Sequence, residues 1–195
     1  MVGLTIDQYV SMIKNGILPE GAPIELIEGV LVHKDRSKAG EDSLAVGFEH
    51  VWAVQNLIPI LAGVARHGCH LSPQQPIAIH PDSVPEPDGA ITRGTINDYR
   101  KRYPGADDLP CVIEVADSSL QYDRLTKKRI YARAGIAQYV LINLIDRVVE
   151  VSESPVAGQD RYAHEFVRNP GEIVRFSTGE GRALEVEVCR LFPNA

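Results

Sequence analysis

Apolar positions along the chain follow a helical period in some segments and strand-like runs in others. Three segments carry apolar residues at helical spacing and predict helices, at 5–15, 47–67 and 122–134. Pro59 lies inside the second segment, so a kinked helix or two shorter pieces are predicted there. Gly135 follows the third segment and is expected to end that helix.

Short β-rich runs between these segments predict strands. The stretch 23–32 predicts two short strands that turn at Glu28-Gly29. Further strands are predicted at 75–80, 89–92, 111–116, 139–144, 148–151, 162–167, 173–176 and 184–188. This order predicts a single domain over residues 1–195, of the α/β or α+β class, with a mixed central sheet, flanking helices and extra hairpins.

Composition changes this interpretation in a few respects. The chain has 195 residues, with 20 basic and 26 acidic side chains and a net charge of −6. This balance excludes nucleic-acid binding through overall positive charge, but it leaves room for a local basic patch. No apolar run approaches the ~20 residues of a membrane span. Residues 1–15 lack the pattern of a signal peptide, so a cytoplasmic protein is expected.

Two acidic residues lie where strands are predicted. Glu114 stands between Ile113 and Val115, and a buried carboxylate is unfavourable unless it is paired, hydrogen-bonded or metal-bound. Asp88 opens the strand at 89–92. Two carboxylates that converge at neighbouring strand ends would form an oxygen-rich site suited to Mg²⁺ or Mn²⁺. The alternative is two structural acids, with Asp88 capping a turn and Glu114 bonded to an arginine.

The third predicted helix carries a lysine on its apolar side. At 100° per residue, Asp123, Lys127, Ile130 and Ala134 share one face, so Lys127 is expected to point toward the sheet and Glu114. An ammonium there could orient an attacking water or stabilise negative charge on a phosphate. The alternative is that Lys127 only neutralises Asp123, one turn before it.

A series of short motifs occurs in a fixed order between residues 5 and 165. They are 24–32, Gln75-Pro76-Ile77, 86–90, 112–119, Tyr122-Asp123-Arg124, Lys127, 131–136, Tyr139 and 149–151. This series resembles the Uma-type family of restriction endonucleases, which belongs to the PD-(D/E)XK nuclease superfamily. The resemblance implies a restriction-endonuclease-like core, a Mg²⁺-dependent endonuclease that acts on DNA, and a homodimer.

The resemblance also assigns roles to the three residues singled out above. Asp88 matches the acid of the PD pair, and Glu114 matches the acid of the second motif. Both would bind Mg²⁺ or Mn²⁺, together with the Val115 carbonyl. Ala116 stands where the superfamily has a lysine. Lys127, on the following helix, is the position that matches the displaced lysine.

Four further residues are weaker candidates. Glu25 matches a family acid, and His50 resembles a family histidine, although a lone histidine is more often an ordinary helix-face residue. Arg124 and Lys128 belong to a basic stretch over 124–133 and are candidates for phosphate contacts. A solvated helix face is the alternative for that stretch.

Three functions remain open from the sequence. The leading hypothesis is a Mg²⁺-dependent endonuclease that hydrolyses phosphodiester bonds in DNA. A non-catalytic nucleic-acid-binding or scaffold protein is favoured by Ala116 and by the negative net charge. A phosphoesterase acting on small nucleotides is the third. The surroundings of Asp88 and Glu114 distinguish these three functions. A long positive groove favours a DNA substrate, and a small closed pocket favours a nucleotide. A salt-bridged interior without metal favours a scaffold.

Overall fold

A six-stranded mixed sheet is the centre of the computed structural model, which describes residues 3–33 and 47–193. The strands are β1 (Ile24–Ile27), β2 (Val30–His33), β3 (Cys69–Ser72), β4 (Gly89–Arg93), β5 (Cys111–Ala116), β6 (Gln138–Asn143), β7 (Val148–Pro155), β8 (Tyr162–Arg168), β9 (Ile173–Gly179) and β10 (Arg182–Glu187). The helices are α1 (Ile6–Lys14), α2 (Phe48–Leu61), α3 (Leu120–Tyr122) and α4 (Lys128–Arg133), with a π-helical turn, Asp123–Lys127, between the last two.

The central sheet has the strand order β3-β4-β5-β6-β7-β8. Strands β5 and β6 are parallel, and every other neighbouring pair of this sheet is antiparallel. The hairpins β1–β2 and β9–β10 form two separate two-stranded sheets. The predicted class, a mixed central sheet with helices and extra hairpins, is confirmed.

Both faces of β5 are buried, which explains its nearly uninterrupted apolar sequence. Ile113 and Val115 point into a core shared with α2, β9 and β10. Val112 and Ala116 point into a second core, formed with α4 and β6. Because side chains alternate along a strand, Glu114 faces the side of this second core.

The predicted long helix is α2 followed by a 3₁₀ turn, Ala62–His67. Pro59 is tolerated near the end of α2, and the helix continues for only two residues beyond it. A proline removes one backbone donor and disfavours regular continuation of a helix, which fits the change to the tighter turn.

The prediction of a strand at 75–80 is wrong. Within the described residues this stretch makes only isolated bridges, from Ala78 to Gly105 and from Ile79 to Ser83. Pro76 and the neighbouring Pro81 have no N–H to donate, so this stretch cannot form a regular ladder. The strand that pairs with β4 is β3, from the stretch just before it.

No helix in the described parts of the chain is long and apolar enough to cross a membrane.

Candidate active site

The structure brings the two predicted acids together. Asp88 directly precedes β4, and Glu114 lies in the adjacent antiparallel strand β5. The backbone N–H of Asp88 donates to Oε2 of Glu114 at 3.3 Å. The backbone N–H of Val115 donates in turn to Oδ2 of Asp88 at 2.9 Å. Their place in the fold follows the predicted convergence, while their chemical role stays a prediction.

The carboxylate of Asp88 is held from both sides. Nε2 of His50, on α2, lies 3.2 Å from Oδ2. Nε2 of Gln74 donates to Oδ1 at 3.3 Å. Burial raises the pKa of Asp88, but interactions with His50, Val115 and Gln74 outweigh it and hold the pKa below its usual value. Asp88 is therefore an anion at neutral pH, and His50 does lie at the site.

Gln74 is a site residue that no local sequence pattern indicates. Its backbone adopts the left-handed conformation, with φ at +51°, which is unfavourable for a residue other than glycine, asparagine or aspartate. Its backbone N–H also donates to the carbonyl oxygen of Asp88 at 3.3 Å. Gln74 thus combines an unfavourable backbone conformation with two contacts to Asp88. Strained backbone conformations are frequent at functional sites.

Glu114 is buried and contacts one hydroxyl and one ammonium. The hydroxyl of Tyr131 donates to Oε1 at 2.7 Å, and Nζ of Lys127 lies 3.6 Å from the same oxygen. Burial raises the pKa of Glu114 well above its usual value, and the nearby charges of Asp123 and Asp88 add to the increase. Lys127 and Tyr131 offset this only in part, so the site favours added positive charge beside Glu114.

Lys127 points inward, as the helical pattern predicts, but its hydrogen-bonded partner is Glu25. Nζ donates to Oε1 of Glu25 at 2.8 Å, and the backbone N–H of Glu86 donates to the same oxygen at 2.6 Å. Burial lowers the pKa of Lys127, but the charges of Glu114 and Glu25 outweigh it and raise the pKa above its usual value. Lys127 therefore carries a full positive charge. Glu25, a weaker candidate from the sequence, lies at the site.

The π-helical turn that contains Lys127 also buries Asp123. The backbone N–H of Lys128 donates to the carbonyl oxygen of Asp123, five residues earlier, and the wider turn buries both ends of 123–127 while Leu125 is exposed. Such turns occur frequently at functional sites. Sequence periodicity gives no signal for this widening, because it assumes a uniform helix.

Asp123 is a fourth carboxyl group of the site and is buried, as Glu25 and Glu114 are. The hydroxyl of Ser119 donates to its Oδ2 at 2.5 Å. Burial raises its pKa to about 6, with Ser119 and Lys127 opposing the increase and Asp88 and Glu25 adding to it. The sequence suggested Asp123 only as a partner for Lys127. The structure gives it a hydrogen bond to Ser119 instead, and no ion pair joins it to Lys127 among the described residues.

Arg124 and Lys128, the candidate phosphate contacts, lie apart from the carboxylates in ion pairs of their own. Nη2 of Arg124 lies 2.5 Å from Glu150, and Nζ of Lys128 lies 2.8 Å from Glu165. The four side chains help to line a surface cavity of about 160 Å³. The contact of Arg124 and Lys128 with nucleic acid stays a prediction. It would require each basic side chain to leave its acidic partner and bind a phosphate instead.

The ligand types at the site fit Mg²⁺ or Mn²⁺. In the parts of the chain that the structure describes, no three His, Cys, Asp or Glu side chains are grouped as a ready-made metal cage. Mg²⁺ usually takes only one or two protein carboxylates and keeps several waters. Asp88, just before β4, and Glu114, in the adjacent strand β5, supply two carboxyl groups. The raised pKa of Glu114 marks a place where a cation would be stabilised.

Comparisons with known proteins agree with this fold. A family model for Uma2, described as "Putative restriction endonuclease", matches residues 7–187. The crystal structure of a protein from Anabaena variabilis, described as a putative nuclease of DUF820, is similar with a TM-score of 0.67. The two chains are 16% identical, and the likeness covers 97% of each. No curated protein matches the sequence significantly. Because the family model spans nearly the whole sequence, the chain belongs to the Uma2 family.

Proposed function

We propose that this protein is a divalent-metal-dependent endonuclease that hydrolyses phosphodiester bonds in DNA. The observation that carries the proposal is the arrangement of Asp88, Glu114 and Lys127. The carboxyl group of Asp88 lies just before β4, that of Glu114 lies in the adjacent strand β5, and a buried ammonium lies 3.6 Å from Glu114. Membership of the Uma2 family supports nuclease chemistry.

Asp88 and Glu114 would hold Mg²⁺ or Mn²⁺, with the Val115 carbonyl as a third ligand. When bound, the ion would supply stabilisation of the negative charge that develops at the reacting phosphate. His50 and Gln74 keep the carboxylate of Asp88 in a fixed orientation. Because these side chains are already in position, they need little reorganisation when negative charge develops in the transition state.

Lys127 contributes a fixed positive charge. Its ammonium stays protonated because Glu114 and Glu25 raise its pKa, so it cannot serve as a base at neutral pH. In the proposed reaction it orients the attacking water and stabilises negative charge on the phosphate. Glu25 holds the ammonium at its position from the opposite side.

A non-catalytic scaffold is the second candidate, and one observation favours it. Lys127 is ion-paired with Glu25 and lies close to Glu114 in the protein interior. The lysine therefore has acidic partners even without a substrate. In that function the buried pair would stabilise the packing of the π-helical turn against β1 and nothing more. Ala116, in the superfamily's lysine position, is consistent with lost turnover.

A cleavage assay separates these functions. Plasmid DNA, single-stranded DNA, RNA and a bis-nitrophenyl phosphate ester are incubated with the protein and Mg²⁺ or Mn²⁺. Cleavage of DNA by wild type, and its loss in Glu114→Ala, is expected. Hydrolysis of the small ester alone would support the phosphoesterase. Folded protein that binds DNA without cleaving it would support the scaffold.

Two further properties belong to the proposal. We expect a homodimer, because nucleases of this superfamily often place two active sites on two strands, and sedimentation equilibrium measures it. We also expect a cytoplasmic protein. A monomer that cleaves both strands of a duplex would remove the first of these expectations.

A further inference from the structure

Most side-chain donors around the carboxylates already have an acceptor. Tyr131 donates to Glu114, Lys127 to Glu25, and Ser119 to Asp123. Gln74 donates to Asp88, and the hydroxyl of Tyr139 donates to the backbone oxygen of Asp123. These contacts orient the protein's own carboxyl groups and give each of these donors an acceptor in the absence of substrate.

The hydroxyl of Tyr122 is different. It is a buried atom, and no hydrogen-bond partner for it exists among residues 3–33 and 47–193. Tyr122 ends α3 and is the residue before Asp123. Burial raises its pKa, the charge of Lys127 lowers it, and the charges of Glu25, Asp123 and Glu114 add to the increase.

A buried hydroxyl without a partner is unfavourable, and such groups in folded proteins call for an explanation. We propose that the hydroxyl of Tyr122 donates a hydrogen bond to a non-bridging phosphate oxygen of the bound nucleic acid. The inference rests on the proposed function, because it assumes that a phosphodiester enters this site.

The chemistry of the site favours a phosphate oxygen as the acceptor. The charges of Glu25, Asp123 and Glu114 act on the hydroxyl, yet it donates to none of these carboxyl groups within the described residues. A phosphate oxygen is a strong acceptor that arrives only with substrate. A hydrogen bond to a charged group contributes more than one between neutral groups.

The chain offers a matched control in Tyr162. Its hydroxyl is also buried without a partner in the described residues, but Tyr162 lies in β8, which β6 and β7 separate from β5. Tyr122→Phe and Tyr162→Phe each remove one unpartnered hydroxyl and keep the ring. Both variants are expected to be as stable as wild type in urea.

The experiment measures two quantities for both variants. The first is the dissociation constant of a short duplex DNA in Ca²⁺, which supports binding without turnover. The second is the single-turnover cleavage rate of the same duplex in Mg²⁺. We expect Tyr122→Phe to weaken binding by about tenfold or more, the size for loss of a hydrogen bond to a charged group, and Tyr162→Phe to leave both unchanged.

The outcomes separate this inference from the proposed function. If wild type cleaves DNA and Tyr122→Phe binds and cleaves equally well, the inference is wrong and the nuclease stands. If wild type binds DNA without cleaving it and Tyr122→Phe binds more weakly, the nuclease is wrong and the contact stands. If wild type binds no duplex DNA, or if both variants lose affinity equally, the inference is overturned.

Discussion

The ammonium of Lys127 donates to a carboxylate oxygen of Glu25 at 2.8 Å, across a sequence separation of 102 residues. The contact joins the first hairpin to the segment that follows β5. Both side chains are almost fully buried. Lys127 also lies 3.6 Å from Glu114, so one charge serves the packing of the hairpin and the electrostatics of the candidate site.

Replacement of Lys127 should therefore affect stability as well as activity. Lys127→Met leaves the carboxylate of Glu25 buried without its cation, and breaking a buried pair in this way costs about 3–5 kcal/mol of unfolding free energy. The double variant Lys127→Met with Glu25→Gln should recover part of that loss, because it removes the orphaned charge. Urea denaturation of wild type, both single variants and the double variant measures the coupling.

The neighbouring ion pair between Lys128 and Glu165 serves as the control for the buried pair. Lys128→Met removes a lysine that is ion-paired with Glu165 near the surface, and it should change stability by less than about 1 kcal/mol. Equal losses for Lys127→Met and Lys128→Met would contradict a special role for the buried pair.

Divalent metal should stabilise the folded protein. An ion that binds only the folded state raises the melting temperature by mass action. Millimolar Mn²⁺ is expected to raise the melting temperature of wild type but not of Asp88→Ala or Glu114→Ala. Asp108→Ala, which removes an acid paired with Arg102 at the surface, should keep the full increase. An increase of equal size in all four proteins would indicate non-specific binding.

Asp123 should make metal-free stability fall as pH rises. Its pKa is about 6 in the fold and about 3.8 when exposed, so the protonated form is favoured by folding. The contribution is fully retained below pH 3.8 and is lost as pH rises from about 4 to about 6, by ~2–3 kcal/mol at most. Asp123→Asn should lack this decrease and be the more stable protein at pH 7 in EDTA. If wild type and Asp123→Asn show the same dependence of unfolding free energy on pH, the raised pKa of Asp123 is refuted.

Gln74 should act by orienting Asp88. Gln74→Asn suits the left-handed backbone better than glutamine does, yet its shorter side chain cannot reach Oδ1 of Asp88 as glutamine does. The variant should keep wild-type stability within about 1 kcal/mol while its apparent affinity for Mn²⁺ falls about 10-fold, the lower end for loss of an outer-shell contact. Isothermal titration with Mn²⁺ measures this, and Gln75→Asn is the control. Unchanged Mn²⁺ affinity in Gln74→Asn would mean that the contact is incidental.

The sequence predicted those parts of the site that local patterns encode. The run around Glu114 predicted a strand buried on both faces, and the helical pattern predicted an inward Lys127. The partner of Lys127 was missed because Glu25 lies in a distant hairpin, and no local pattern reports a contact of that range. The sequence offers Glu25 only as a weaker site candidate, through its match to a family acid. The structure buries it in β1.

Other differences have equally specific causes. The stretch 75–80 has the apolar content of a strand, but its prolines and the neighbouring loops give its backbone other partners. Strand β3 is only four residues long and follows Gly68 in a left-handed conformation, so it carries little periodic signal. Gln74 lies in a loop, where its role depends on a backbone conformation that residue type alone does not reveal.

The most direct test is single-turnover cleavage of a duplex DNA in Mg²⁺ by wild type, Asp88→Asn, Glu114→Gln and Glu165→Gln. Each protein is compared under conditions where it is fully folded. We expect cleavage by wild type and by Glu165→Gln, which alters an exposed acid that is ion-paired with Lys128. We expect a loss of about 100-fold or more in the other two, the scale for removal of one preorganised charge-stabilising group. Equal rates in all four proteins would contradict a catalytic site at Asp88 and Glu114.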